Sequence, residues 1–266
     1  MLILSPQVHA SESQHWYTQR GEPAYEVLAK NGTPRPTTLR DARKYLLVPS
    51  VTTIIKEGSK PNLENWKQNQ VLLAALTLPR NPGEPEADWI ARVMLDSKET
   101  ARKAAEKGTE IHKAIQGHYE GTAPSEEYLR HVQGAVKAVR DAYGDLAWIP
   151  EASFASPEGY GGKIDLHSPK GRIVVLDFKT KEFGPDDVAT MKTWDDQAMQ
   201  LAAYRHGKKL HGAETGICYV SVNHPGTAVV CPIEEEDLYR GWEMFEALLA
   251  YWQAKTKFDS SFKVAA

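Results

Sequence analysis

A chain of 266 residues, 41% hydrophobic and 25% charged, is long enough to bury a sizeable core and has an ordinary globular composition. Its formal net charge of −3 excludes a protein that coats nucleic acid through a broad basic face, yet leaves room for a confined basic groove. Two cysteines, Cys218 and Cys231, are too few for a disulfide framework or an iron–sulfur cluster and read as buried thiols of a reducing compartment.

The first residues, MLILSPQVHA, lack the basic start of a secretory signal, and no apolar run approaches the roughly 18 residues that span a bilayer. A cytoplasmic protein without membrane contact is expected. Residues 14–48 mix β-branched and aromatic residues with turn formers and predict short strands. Ser50, after Pro49, is placed to cap a short helix, and residues 63–76 read as another. TLPRNPGEPEAD is a loop, with a further helix beginning near Glu86. Residues 101–119 keep helical spacing through Gly108, Ile111, His112 and Ile115, and a second stripe runs from Leu129 to Tyr143.

Then the period changes to two. AWIPEASFAS and GGKIDLHS read as strands, and Pro169-Lys170-Gly171 turns the chain into RIVVLDFKT. WDDQAMQLAAYRHG predicts a helix, GICYVSV and TAVVCPI a hairpin around NHPG, and a last helix carries Leu238, Trp242, Phe245, Leu249 and Trp252 on one face. No repeat or low-complexity tract is present. The order of elements predicts an α/β fold with a mixed central sheet flanked by helices.

The strand at 172–180 poses a chemical problem. Ile173, Val175, Asp177 and Lys179 share one face, while Val174, Leu176 and Phe178 share the other. Both faces begin apolar, as in a strand covered on both sides. Asp177 and Lys179 therefore stand at the edge of a core, where an unpaired charge is costly. The turn at 169–171 brings Asp165 from the neighbouring strand beside Asp177. An Asp–Lys ion pair closing the sheet is one explanation. The other is a metal site, in which two carboxylates share a hard divalent cation with a backbone oxygen and water, while Lys179 assists an attacking water.

The stretches GGKIDL, VVLDFKT and QAMQLAAY, with PSVTTIIK at 49–56 and KGTEIHKAIQGHYEG at 107–121, resemble the PD-(D/E)xK nuclease superfamily. The match is to its RecB-like branch, which includes phage exonucleases and the mitochondrial genome maintenance exonuclease. The resemblance runs in consistent order over roughly 50–250. It implies a restriction-endonuclease-like core, with Asp165, Asp177 and Lys179 catalytic. His112, Asp165, Asp177 and the Phe178 carbonyl would hold Mg²⁺ or Mn²⁺. Gln200 and Tyr204 match the Q-x-x-x-Y signature that lines the site, and Ser50 and Thr52 match a motif expected at substrate phosphate. The iron–sulfur members of the branch use four cysteines, so no cluster is expected here. Glu151 is a loose candidate for the acidic residue that the family name places before the first strand.

Taken alone, a histidine on an inner helix face such as His112 is more often a satisfied core residue than a metal ligand. Gly108 within a helix costs about 1 kcal/mol relative to alanine, which suggests a close approach by backbone or ligand, or equally plain tight packing. Gln197, Gln200 and Tyr204 lie on one helical face, as a solvated stripe or as partners of the lysine or of DNA. HExxH and GxxxxGK[ST] are absent, which argues against a zinc hydrolase of that kind and a fused ATPase motor.

Residues 1–266 are thus expected to form one nuclease domain, with a β-rich arm over 1–48 and the catalytic core over 49–255. The expected activity is metal-dependent exonucleolytic hydrolysis of DNA, preferring single strands or frayed ends, in a bacterial or phage-infected cell. A recombination or single-strand-binding protein is the partner class this implies. The competing readings are a structure-specific endonuclease and a catalytically silent DNA-binding or recombination-accessory module.

Overall fold

The computed structural model describes residues 2–3, 15–59 and 61–263. The arm contributes β1 (Leu2–Ile3), β2 (Trp16–Tyr17), β3 (Glu26–Leu28), β4 (Pro34–Pro36), α1 (Leu39–Tyr45) and β5 (Val48–Pro49). Four helices follow, α2 (Val51–Ile55), α3 (Pro61–Thr77), α4 (Glu86–Tyr119) and α5 (Leu129–Tyr143). The central strands are β6 (Ile149–Ser156), β7 (Tyr160–His167) and β8 (Val174–Lys181). A 3₁₀ turn at Pro185–Thr190 leads to α6 (Asp195–Gly207), then β9 (Glu214–Ser221), β10 (Ala228–Pro232) and α7 (Glu235–Thr256).

The five long strands form one sheet in the order β10-β9-β8-β7-β6. The meander β6-β7-β8 and the pair β9-β10 are antiparallel, whereas β8 and β9 run parallel. A parallel pair needs a crossover, and α6 supplies it. The α/β class with a mixed sheet and flanking helices is therefore what the chain forms.

Alternation along β8 divides the core in two. Val175 joins Ile164, Ile217, Leu201, Phe245 and Trp252 on the face covered by α6 and α7. Val174, Leu176 and Phe178 join Ile111, Ile115, Val132, Val139 and Cys218 on the face covered by α4 and α5. Trp16, Ala24, Ala42 and Leu47 from the arm belong to the first cluster. Both faces of β8 are thus dry at its start, as its sequence requires.

Three elements differ from the sequence expectation. The arm contains α1, started by Thr38 as N-cap with Asp41 closing the capping box; the T-x-x-D pattern was the overlooked signal. The helix near Glu86 and the one at 101–119 are a single 34-residue helix, because no proline or glycine interrupts residues 86–107. The polar loop after β8 includes the 3₁₀ turn, whose Gly184 N–H is capped by Asp187 at 2.7 Å. The expected cap at Ser50 is present, its Oγ accepting the Thr53 N–H at 3.1 Å. Residues 4–14, which include much of the amino-terminal stretch considered above, lie outside the described residues. Among the described residues no helix is long and apolar enough to cross a membrane.

Candidate active site

Strands β7 and β8 pair only through Leu166↔Leu176 and His167↔Val175. Beyond that point the ladder is interrupted by a side chain. Asp165 Oδ2 accepts the Phe178 N–H at 2.8 Å and a hydrogen bond from His112 Nε2 at 2.9 Å. One carboxylate therefore satisfies a backbone donor that the diverging strands leave unpaired, and ties the sheet to α4. Burial pushes the Asp165 carboxyl up, but the charge and hydrogen bond of His112, helped by Lys179 and the Phe178 N–H, outweigh it and hold it below its ordinary value. Burial lowers His112 in turn, and Asp165 more than reverses that effect.

Asp177 is 1% exposed. Its Oδ1 accepts from Gln200 Nε2 at 2.7 Å, and the same amide donates to Tyr204 Oη at 2.9 Å. Its Oδ2 lies 2.5 Å from Lys179 Nζ yet accepts no aligned hydrogen bond. Burial pushes Asp177 up to about 6 against the pull of Lys179, and the nearby charge of Asp165 adds to the rise. Lys179, with 36% of its side chain exposed, carries the ammonium from this buried partner into the cleft. The two aspartates raise it above its ordinary value despite burial.

Glycines admit two of the neighbouring elements. A Cβ on Gly108 would lie 2.5 Å from Thr180 Oγ1, so only glycine lets α4 approach the end of β8 this closely. A Cβ on Gly162 would lie 2.8 Å from the Tyr204 ring. Of the readings open for Gly108, the structure shows tight packing against a side chain of the sheet, with no backbone approach among the described residues.

The carboxylates open into a cleft of about 540 Å³ whose walls come from α4, α6 and the arm. Ser50, Thr52, Glu151, Gln200 and Tyr204 all line it. The Ser50 hydroxyl is committed to the α2 cap and to Thr53 Oγ1 at 2.8 Å, whereas Thr52 is half-buried at the wall. Glu151 forms an ion pair with Lys163 and has φ of 55°, a strained value for a non-glycine residue. It stands between the register pairs Pro150↔Leu166 and Ala152↔Ile164, and so opposite Asp165. Gln197 is a correction. It is buried away from the cleft, with Oε1 accepting from Trp194 N at 3.0 Å and Tyr219 Oη at 2.6 Å. Of the two readings of this stripe the solvated one does not hold, since Gln197, Gln200 and Tyr204 are all buried.

Sequence reasoning missed Lys163 and the aromatic residues His15, Tyr17 and Tyr25, which also line the cleft. The one available signal was aromatic and polar residues mixed within a short arm.

Among the described residues no group of three or more His, Cys, Asp or Glu side chains is disposed to hold a metal ion. The donor set instead suits a hard cation that takes few protein ligands and keeps water and substrate in its shell. Asp177 Oδ2 is buried without an aligned hydrogen bond, and Asp165 Oδ1 takes no part in the contacts above.

No protein-family model matches the chain, and no curated protein matches it. Several solved structures overlap it in part. A "Putative exonuclease" from Eubacterium rectale is 11% identical, with a TM-score of 0.42 over 57% of this chain and 68% of that one. The protein SSO0001 is 16% identical, with a TM-score of 0.25 over 44% of this chain and 57% of that one.

Proposed function

We propose that the cleft is the active site of a metal-dependent deoxyribonuclease, an exonuclease preferring single-stranded DNA or frayed ends. The observation that carries this reading is the convergence of Asp165, Asp177 and Lys179 where β7 and β8 diverge, at the floor of an open cleft. A plain structural ion pair would need neither the second carboxylate nor the access. The sequence resemblance to RecB-like nucleases supports the same residues in the same roles.

Asp165, Asp177 and the Phe178 carbonyl would hold Mg²⁺ or Mn²⁺, while His112, the fourth ligand the resemblance implies, is hydrogen-bonded to Asp165 Oδ2. When bound, such a cation supplies Lewis-acid polarisation of the phosphodiester and offsets the charge that develops on it. The protein's own groups position and neutralise. His112 orients Asp165, and Gln200, locked by Tyr204, orients Asp177. Lys179 presents its ammonium to the attacking water and the phosphate oxygens, where a fixed positive charge in a partly desolvated site favours the transition state. With net charge −3, affinity for DNA rests on this confined cleft, and binding falls steeply with salt.

Digestion of end-labelled linear and closed-circular single strands with Mg²⁺ or Mn²⁺ tests the proposal. Linear strands disappear while circles persist. Circles nicked as fast as linear strands vanish would replace the exonuclease by an endonuclease, and no cleavage of either would remove the nuclease reading.

A further inference from the structure

One wall of the cleft is left unused by the chemistry at the strand ends. His15 and Tyr25 stack with ring centroids 4.5 Å apart and planes 26° apart. Tyr17 meets Tyr25 edge-on at 5.7 Å, and the two hydroxyls share a hydrogen bond of 2.8 Å. The backbone beneath is pinned, with Ser50 N–H donating to His15 O at 2.9 Å and Thr37 N–H to Tyr25 O at 2.8 Å. Chain neighbours Trp16 and Ala24 are fully buried, whereas His15 and Tyr25 are half-buried and line the same cleft as Asp165 and Lys179.

Rings needed only to pack the arm would sit in the core with Trp16. Two stacked rings held on a fixed backbone beside a phosphodiester-sized chemical centre instead offer a π-face to a ligand. A nucleobase presents such a face only when it is unpaired and unstacked, since a duplex shows edges and backbone in its grooves. We infer that His15 and Tyr25 form a stacking platform for an unpaired nucleobase flanking the scissile phosphate, which makes them determinants of single-strand specificity. The inference rests on the nuclease reading above. Burial, with the charges of Lys56 and Lys163 nearby, holds His15 below its ordinary value. Its ring is therefore a neutral stacking surface.

The test is fluorescence anisotropy of a labelled single-stranded oligonucleotide in EDTA, paired with an abasic strand of equal length. Wild type binds the base-bearing strand roughly 5- to 150-fold more tightly than the abasic one, the span that stacking of one base carries. In His15→Ala/Tyr25→Ala the base-bearing strand loses that factor and the abasic strand does not. His15→Phe/Tyr25→Phe, which keeps both rings, restores the preference, and melting curves confirm that both variants fold. Equal binding by wild type and the alanine variant, in a protein that still cleaves single strands with Mg²⁺ or Mn²⁺, overturns the platform and leaves the nuclease reading standing. A wild type that neither binds nor cleaves single strands overturns both.

Discussion

Asp165 Oδ2 and the Phe178 N–H are joined by a 2.8 Å hydrogen bond, so a carboxylate replaces the next rung of the ladder between β7 and β8. This one contact bridges the strands where they diverge and Asp177 and Lys179 emerge. It also fixes Asp165 by two donors, one from the sheet and one from α4. The candidate site exists because the sheet fails to close there.

Asp177→Asn and Lys179→Ala should each reduce cleavage by roughly 100-fold or more, the range expected for removing a positioned charge or proton-transfer group. Asp177→Asn should melt at or above the wild-type temperature at pH 7, because burial pushes the Asp177 carboxyl up to about 6 and its charged form therefore costs the fold stability there. Cleavage of a labelled single strand and thermal melting check the pair, and near-wild-type activity in either variant would falsify the assignment.

Metal binding should follow the carboxylates more than the imidazole. In calorimetry with Mn²⁺, Asp165→Ala should weaken binding more than His112→Ala, since the aspartate carries the charge and His112 reaches it through Asp165 Oδ2. Ca²⁺ should bind and support little cleavage, because its looser coordination orders water poorly. Full activity in excess EDTA would count against any metal role.

Gly108 predicts a packing effect that opposes helix propensity. Alanine favours a helix interior by about 1 kcal/mol over glycine, yet here its Cβ would meet Thr180 Oγ1 at 2.5 Å. Gly108→Ala should therefore destabilise by about 1–3 kcal/mol, and adding Thr180→Ala should recover most of the loss. Denaturant melts of the two single variants and the double variant form the cycle. Strict additivity would show that the two positions do not touch.

Asp41 gives a pH dependence with a definite sign. Arg35 holds it from two nitrogens at 2.7 and 2.8 Å, and Thr38 N and Oγ1 donate to it as well. The Arg35 pairing first, and then Thr38, hold its carboxyl far below the ordinary range against the opposing effect of burial. A depressed carboxyl stabilises the fold above its unfolded value of about 4, and that stabilisation is lost as pH falls toward its folded value. Asp41→Asn should lower Tm by a few degrees at pH 7, and the gap to wild type should narrow below about pH 4. A gap that stays constant from pH 7 to pH 3 would show that the ionised carboxylate contributes nothing.

How much of this was legible beforehand depends on the range of the forces involved. Alternation along residues 173–179, the turn at 169–171, the cap at Ser50 and the anomalous Gly108 are properties of a few neighbouring residues. Local backbone geometry decides them, so the sequence alone placed Asp165, Asp177 and Lys179 together at the end of a buried strand. It could not assign partners across elements. Gln197 and Gln200 lie three residues apart on α6, yet Gln200 reaches Asp177 on β8 while Gln197 reaches Tyr219 on β9. Only the angle at which α6 crosses the sheet separates them. The same holds for Glu151 with Lys163, and for His15 and Tyr25, whose rings meet the cleft because His15 is tied to the start of α2 through Ser50 and Tyr25 to Thr37 within the arm. Periodicity tells which side of an element is buried; what lies against that side is decided by packing between segments far apart in the chain.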